Sequence, residues 1–82
     1  MLIDDIKLVV GTTLQLGARA HTMNWETPLL GAIPELDSMA VVTLITALED
    51  QFGIQVADDE IGAEAFETLG SLVSFVERKL AG

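Results

Sequence analysis

The residues with the clearest chemical potential lie in the stretch ELDSM, residues 35 to 39, directly before a periodic apolar run. Asp37 is a natural N-cap, which places the hydroxyl of Ser38 in the first turn of the helix that follows. Backbone N–H groups in that turn lack intrahelical partners, and the positive end of the helix dipole favours a phosphate there. From the residues alone, Ser38 is either an ordinary part of a helix start or a position where a group is attached.

No other motif in the sequence makes a self-contained active site. His21 is the only histidine, and the stretch HTMNWE offers it no second metal ligand at helical spacing. The acids of residues 58 to 60 lack the alternating acids and central glycine of a calcium loop, so they are predicted to open a short helix instead. There is no glycine-rich phosphate loop and no spacing that suggests a catalytic triad. We therefore expect a protein that is not an enzyme.

Length and composition bound the possible functions. The 82 residues predict a single domain over positions 1–82, and half of them are hydrophobic. Thirteen acids and four bases give a net charge of −9, which opposes binding to nucleic acid or to anionic membranes and favours partners with basic patches. No apolar stretch approaches the about 18 residues of a membrane span, and the start does not resemble a signal peptide. We expect a cytoplasmic monomer.

The first half of the chain is predicted to be one helix and one long loop. Apolar residues at Ile6, Val10 and Leu14 recur at helical spacing, and Gly17 is the predicted stop. Residues 18–37 contain two prolines and scattered apolar residues, which favours a long ordered loop. The side chains predicted to hold this loop on the core are Trp25, Leu29, Leu30, Ile33 and Leu36.

The second half is predicted to hold two further main helices. One runs from Ser38 to Phe52 and ends at Gly53, and its buried face is predicted to be Val41, Leu44, Ile45, Leu48 and Phe52. A short helical turn should open at Asp58 and fade near Gly62. Thr68 should cap a last helix whose buried stripe is Leu69, Leu72, Val73, Val76 and Leu80. The predicted fold class is all-α, a bundle of three main helices with one short helix and a long first loop.

The sequence resembles a known family over nearly its whole length. LLGAIPELDSMAVVTLITALEDQFGIQVADDEI is similar to the central half of an acyl carrier protein, and FETLGSLVSFVERKL is similar to its final helix. The family's Asp-Ser-Leu signature stands here as Asp37-Ser38-Met39. The resemblance implies that Ser38 is esterified by the phosphate of 4′-phosphopantetheine, which a separate phosphopantetheinyl transferase delivers from coenzyme A. The thiol of that arm would hold acyl groups as thioesters for acyl-loading and acyl-using enzymes.

The resemblance also implies which residues partner enzymes recognise. Asp37 belongs to the signature itself. The apolar contact positions are Met39, Val42 and Val56, and the acidic ones are Glu49, Asp50, Asp58, Asp59 and Glu60. The implied docking face is therefore the second helix together with the loop after it.

Two departures from the family pattern bear on the pathway. Carriers of fatty-acid synthesis usually have acids early in the second helix, where this chain has Ala40 and Thr43. Two extra residues also precede the last helix. These differences favour a specialised pathway over housekeeping fatty-acid synthesis. Two other functions stay open: an acidic helical adaptor with no prosthetic group, and a stand-alone aminoacyl or peptidyl carrier.

Overall fold

The computed structural model describes residues 2–57 and 60–81. Within them the chain forms three α-helices, α1 (Leu2–Thr13), α2 (Ser38–Phe52) and α3 (Leu69–Ala81). Two 3₁₀ helices, Gly17–Thr22 and Ala63–Phe66, lie between them. This part of the chain contains no strand, only an isolated bridge between Pro28 and Thr68. The predicted all-α class is confirmed, and no described helix has the length and apolar character needed to span a membrane.

Helix α1 ends earlier than its sequence predicts. Ile6 and Val10 are fully buried, as their spacing predicts, and Asp4 and Asp5 occupy the first turn. The predicted stop at Gly17 was wrong, because α1 ends at Thr13 and the chain then turns through Gln15, whose φ is 55°. The first 3₁₀ helix follows inside the stretch predicted to be loop, since burial of Ala20 holds it against the core.

Helix α2 has the predicted boundaries. It ends where Gly53 adopts a left-handed φ of 65° and donates its N–H to the Glu49 carbonyl oxygen at 2.9 Å. Glycine adopts this backbone conformation without steric cost, which explains its place after the last turn. Of the predicted buried face, Leu44 and Leu48 lie fully inside the core. Its remaining members are half-buried and pack against that core: Val41, Ile45 and Phe52.

Helix α3 begins with the predicted cap. The Thr68 hydroxyl accepts from the N–H of Ser71 at 3.1 Å, and the Ser71 hydroxyl accepts from the N–H of Thr68 at 3.0 Å. This reciprocal pair satisfies two donors that the helix itself cannot. The buried residues of α3 are Leu69, Leu72, Val73, Phe75 and Val76. The predicted burial of Leu80 was wrong, because this residue lies in the last turn and is exposed.

The short helix before α3 lies later than predicted. Asp58 and Asp59, which were expected to open it, fall outside the described residues. The observed 3₁₀ helix starts after Gly62, where the predicted helix should already have ended, and spans Ala63–Phe66. Its position follows from the burial of Ala65 and Phe66 rather than from the acids of residues 58 to 60.

The long loop is held on α3 and on the residues just before it by its backbone as well as by side chains. Leu29 and Leu36 are buried as predicted, but Trp25 and Leu30 are exposed, so their predicted place in the core was wrong. The Leu29 and Leu30 N–H groups donate to carbonyl oxygens of residues 67 and 66, at 3.0 and 2.9 Å. The Gly70 N–H donates to the Trp25 carbonyl oxygen at 2.9 Å. These main-chain bonds hold the loop where Trp25 and Leu30 do not enter the core.

The contact between Gly70 and Trp25 leaves no room for a side chain, so Gly70→Ala should destabilise the fold. An added Cβ would lie 2.6 Å from the Trp25 carbonyl oxygen and 3.2 Å from its ring. We expect a loss of about 1–3 kcal/mol in the free energy of unfolding, as for other overpacked sites. Gly62→Ala is the matched control, because its Cβ would meet nothing closer than 3.9 Å. Urea denaturation measures both, and equal stability of the two variants would contradict the close approach.

Candidate functional site

Ser38 is positioned by the cap of α2. The Asp37 carboxylate accepts a hydrogen bond from the Ala40 N–H at 2.8 Å, and the backbone of Asp37 is extended, with φ −103° and ψ −175°. Just before the cap, Glu35 forms an exposed ion pair with Arg19 of the first 3₁₀ helix. The predicted N-cap is therefore observed, and it places Ser38 at the first position of the helix.

The Ser38 side chain is exposed and uncommitted. Among the residues that the structure describes, no group forms a hydrogen bond with its hydroxyl. His21 gives it no base, because His21 lies in the first 3₁₀ helix and lines a different groove, against α1. The hydroxyl is thus open to a partner enzyme, and no base among the described residues activates it.

An apolar groove opens beside Ser38. Its volume is about 460 Å³, which is within the range of about 300–1,000 Å³ typical of small-molecule sites. One wall is α2, and the other is the segment after α2 together with the second 3₁₀ helix. Ser38 and Asp37 stand at the groove, and its apolar lining comprises Leu30, Val41, Val42, Ile45, Val56, Ile61 and Phe66. An extended apolar chain attached at Ser38 could enter it.

The outer face of α2 near Ser38 is apolar and uncharged. Met39 is 76% exposed and Val42 is 63% exposed. The hydroxyls of Thr43 and Thr46 donate to the carbonyl oxygens of Met39 and Val42 at 3.1 Å each. Because those donors are already used within the helix, a partner meets a surface with few free hydrogen-bond donors. The charged residues of α2 are confined to its last turns, at Glu49 and Asp50.

The acidic positions implied for recognition have different environments. Asp50 is exposed on α2, whereas Glu49 is half-buried and accepts a hydrogen bond from the Val56 N–H at 2.8 Å. Glu49 is therefore engaged within the chain, whereas Asp50 is open to a partner. Val56, an implied contact position, is half-buried in the groove wall.

Glu60 is also engaged within the chain. One carboxylate oxygen accepts from the Ala57 N–H at 2.9 Å, and the other pairs with Lys79 of α3 at 2.6 Å. The Ala57 hydrogen bond and then the Lys79 ammonium lower the pKa of this carboxyl below its usual range. The ion pair with Lys79 was not predicted, because 19 positions separate the two residues along the chain. Asp58 and Asp59 lie outside the described residues.

A second groove lies away from Ser38. It has a volume of about 610 Å³ and lies between α1 and the first 3₁₀ helix. Charged side chains of Asp4, Asp5 and Lys7 line it beside the exposed Leu8. No set of three His, Asp or Glu side chains in the described ranges 2–57 and 60–81 is placed to hold a metal ion. The apolar groove beside Ser38, in contrast, has an exposed hydroxyl in its lining.

Asp37 and Ser38 should contribute differently to the stability of α2. Asp37→Ala removes the acceptor for the Ala40 N–H and should cost about 1 kcal/mol of unfolding free energy. Ser38→Ala removes a hydroxyl with no partner in the described structure and should cost much less. Thermal and urea denaturation of both variants measure the difference. A larger loss for Ser38→Ala than for Asp37→Ala would show that the hydroxyl, not the carboxylate, holds the start of α2.

Comparison with known proteins identifies the family. Residues 6–76 match the family model described as a phosphopantetheine attachment site. An acyl carrier protein of Helicobacter acinonychis (strain Sheeba) is 39% identical over 82 residues, which cover 98% of this chain and 97% of the relative. One from Sulfurovum sp. (strain NBC37-1) is 38% identical over 79 residues, covering 93% and 95% of the two chains.

A solved structure gives the same result. The solution NMR structure of a holo acyl carrier protein from Nitrosomonas europaea matches this fold with a TM-score of 0.91 at 55% identity, and it covers 98% of this chain and 96% of that one. The family carries phosphopantetheine covalently, has no catalytic activity of its own, and works with a phosphopantetheinyl transferase and acyl-handling enzymes. The predicted family, prosthetic group and carrier role are confirmed: this chain belongs to the acyl carrier protein family.

Proposed function

We propose that Ser38 is the attachment point of 4′-phosphopantetheine and that the chain carries acyl groups as thioesters on that arm. The observation that carries the proposal is the exposed, uncommitted hydroxyl at the start of α2, placed at the mouth of an apolar groove. An adaptor without a prosthetic group would need neither the free hydroxyl nor the groove. The apolar lining also suits an acyl chain better than a charged aminoacyl group.

The residues around Ser38 fit a phosphate ester. The first-turn N–H groups of α2 have no partners within the helix, and the positive end of the helix dipole favours the negative charge of a phosphate. Loading replaces the Ser38 O–H bond by an ester bond from the same oxygen to the phosphorus of coenzyme A, and adenosine 3′,5′-bisphosphate leaves. The proton passes to a base of the transferase, since the described chain places none at Ser38. When bound, the arm supplies a thiol that forms thioesters.

We assign the recognition of partners to the surface around the groove. Met39 and Val42 present an apolar contact beside the attachment point. Asp37 and Asp50 add negative charge at the two ends of α2. We propose a recognition role for the other implied positions as well: Val56, Asp58, Asp59, Glu60 and Glu49. Glu49 and Glu60 would contact partners in addition to their internal bonds.

We also propose a specialised pathway rather than housekeeping fatty-acid synthesis. The support is the uncharged stretch of α2 between Ser38 and Leu48, where Thr43 presents a hydroxyl that is bonded back to its own helix. A partner with strongly basic residues opposite this stretch would gain no ion pair from it. Enzymes that use this carrier should therefore contact the first turns of α2 through apolar groups.

Loading at Ser38 is tested by intact mass after incubation with coenzyme A and a promiscuous phosphopantetheinyl transferase. We expect one phosphopantetheine per wild-type chain and none on Ser38→Ala, because this serine alone combines exposure with the cap of α2. Ser74→Ala is the matched control, since Ser74 is an exposed serine on α3 and should leave loading unchanged. An addition that persists on Ser38→Ala, or no addition to wild type with several active transferases, would exclude the proposal.

The proposed pathway is tested by adding the missing charge. Thr43→Glu should raise kcat/KM several-fold when the holo protein is the malonyl acceptor for a housekeeping malonyl transferase, and added salt should reduce the gain. Ser74→Glu places the same charge on α3 and should have little effect. If unmodified protein already equals a housekeeping carrier in this assay, the specialised assignment is wrong.

A further inference from the structure

Before the second 3₁₀ helix, the wall of the groove opposite α2 has little regular structure of its own. Residues 54–57 and 61 lie outside the helices, yet Val56, Ala57 and Ile61 line the groove. Backbone N–H groups in such a segment need partners from elsewhere in the fold, or the segment will not keep a fixed position. The width of the groove therefore depends on what holds this wall.

Two glutamates hold consecutive residues of the wall. Glu49 reaches from the last turns of α2 to the N–H of Val56 at 2.8 Å. Glu60 accepts from the N–H of Ala57, the next residue, at 2.9 Å. Hydrogen bonds to an ionised carboxylate are stronger than those between neutral groups. Both bonds act directly on residues that form the groove.

Lys79 joins this arrangement to α3. Its ammonium pairs with the second oxygen of Glu60 at 2.6 Å, across 19 positions of sequence. Glu60 thus binds the wall with one oxygen and α3 with the other. The segment after α2 is held on one side by α2, through Glu49, and on the other by α3, through Glu60 and Lys79.

We propose that Glu49, Glu60 and Lys79 are positioning residues that fix this wall and thereby set how well the groove shelters acyl chains of different length, an inference that rests on the proposed loading of Ser38. Each methylene that enters the groove removes apolar surface from water and stabilises the folded state. A fixed wall keeps its contacts with the chain, so stabilisation grows with chain length until the groove is full. A wall without these bonds contacts the acyl chain less well, so stabilisation of the folded state increases less with each added methylene.

The test uses protein loaded by the transferase from acyl-coenzyme A thioesters of increasing chain length. For each variant, the melting temperature of the acyl form is compared with that of its own holo form, which removes any general loss of stability. Wild type should show a difference that grows with chain length and then levels off. Lys79→Met and Glu49→Ala should each reduce the increase of this difference with chain length to less than half of the wild-type value. Glu60→Gln keeps an acceptor for the Ala57 N–H but loses the ion pair, so it should behave like Lys79→Met.

Two control variants remove the same charges from α3 without removing a bond to the groove wall. Arg78→Met removes a neighbouring positive charge of α3, and Glu77→Ala removes an exposed acid of the same helix. Neither residue bonds to the groove wall, so both should keep the wild-type dependence on chain length.

A second measurement is independent of melting. Hydroxylamine cleaves a thioester faster when the attached chain spends more time outside the groove, so the long-chain forms of Lys79→Met and Glu49→Ala should react several-fold faster than wild type, while short-chain forms react alike. Wild-type behaviour of these variants in both measurements, with loading at Ser38 intact, would overturn the role of the wall. Absence of loading in wild type would instead overturn the carrier assignment of Ser38, and mass spectrometry shows that before any chain is compared.

Discussion

The hydrogen bond from the Ala40 N–H to the Asp37 carboxylate fixes where α2 begins, and the functional layout depends on that start. It leaves Ser38 exposed at the end of the helix, where a separate enzyme can reach it. The same helix turns Val41 and Ile45 toward the groove. A frayed first turn would free the serine from its place beside the groove, so the hydroxyl and the groove would no longer share one rigid element.

Local signals in the sequence were enough to predict the helices that position Ser38. Asp37 and Gly53 mark both ends of α2, because a cap and a left-handed glycine act within one turn of the residues they terminate. Thr68 marks the start of α3 for the same reason. Ser38 was proposed as the attachment point through its signature and its spacing to later motifs, whereas its uncommitted hydroxyl could be seen only in the fold.

Features decided by distant contacts were not predicted. The short helix was expected at the acids after residue 57, but burial of Phe66 against the core places it at Ala63–Phe66. Trp25 was expected in the core because it is large and apolar, yet the loop is held there by main-chain bonds to α3. Lys79 pairs with Glu60 across 19 positions, a separation at which no helical or strand periodicity operates.

Some of the acids stabilise the fold directly, in addition to contributing to the net charge. Of the 13 acids, Asp37, Glu49 and Glu60 each accept a backbone N–H outside the regular bonding of the helices. All three bonds lie around the groove beside Ser38, so negative charge there stabilises backbone N–H groups that have no partner within a helix or strand. A carrier must expose its attachment point to many enzymes and still shelter an apolar cargo between visits. Carboxylates that hold the groove from its rim meet both demands, because they fix the wall without filling the cavity with side chains.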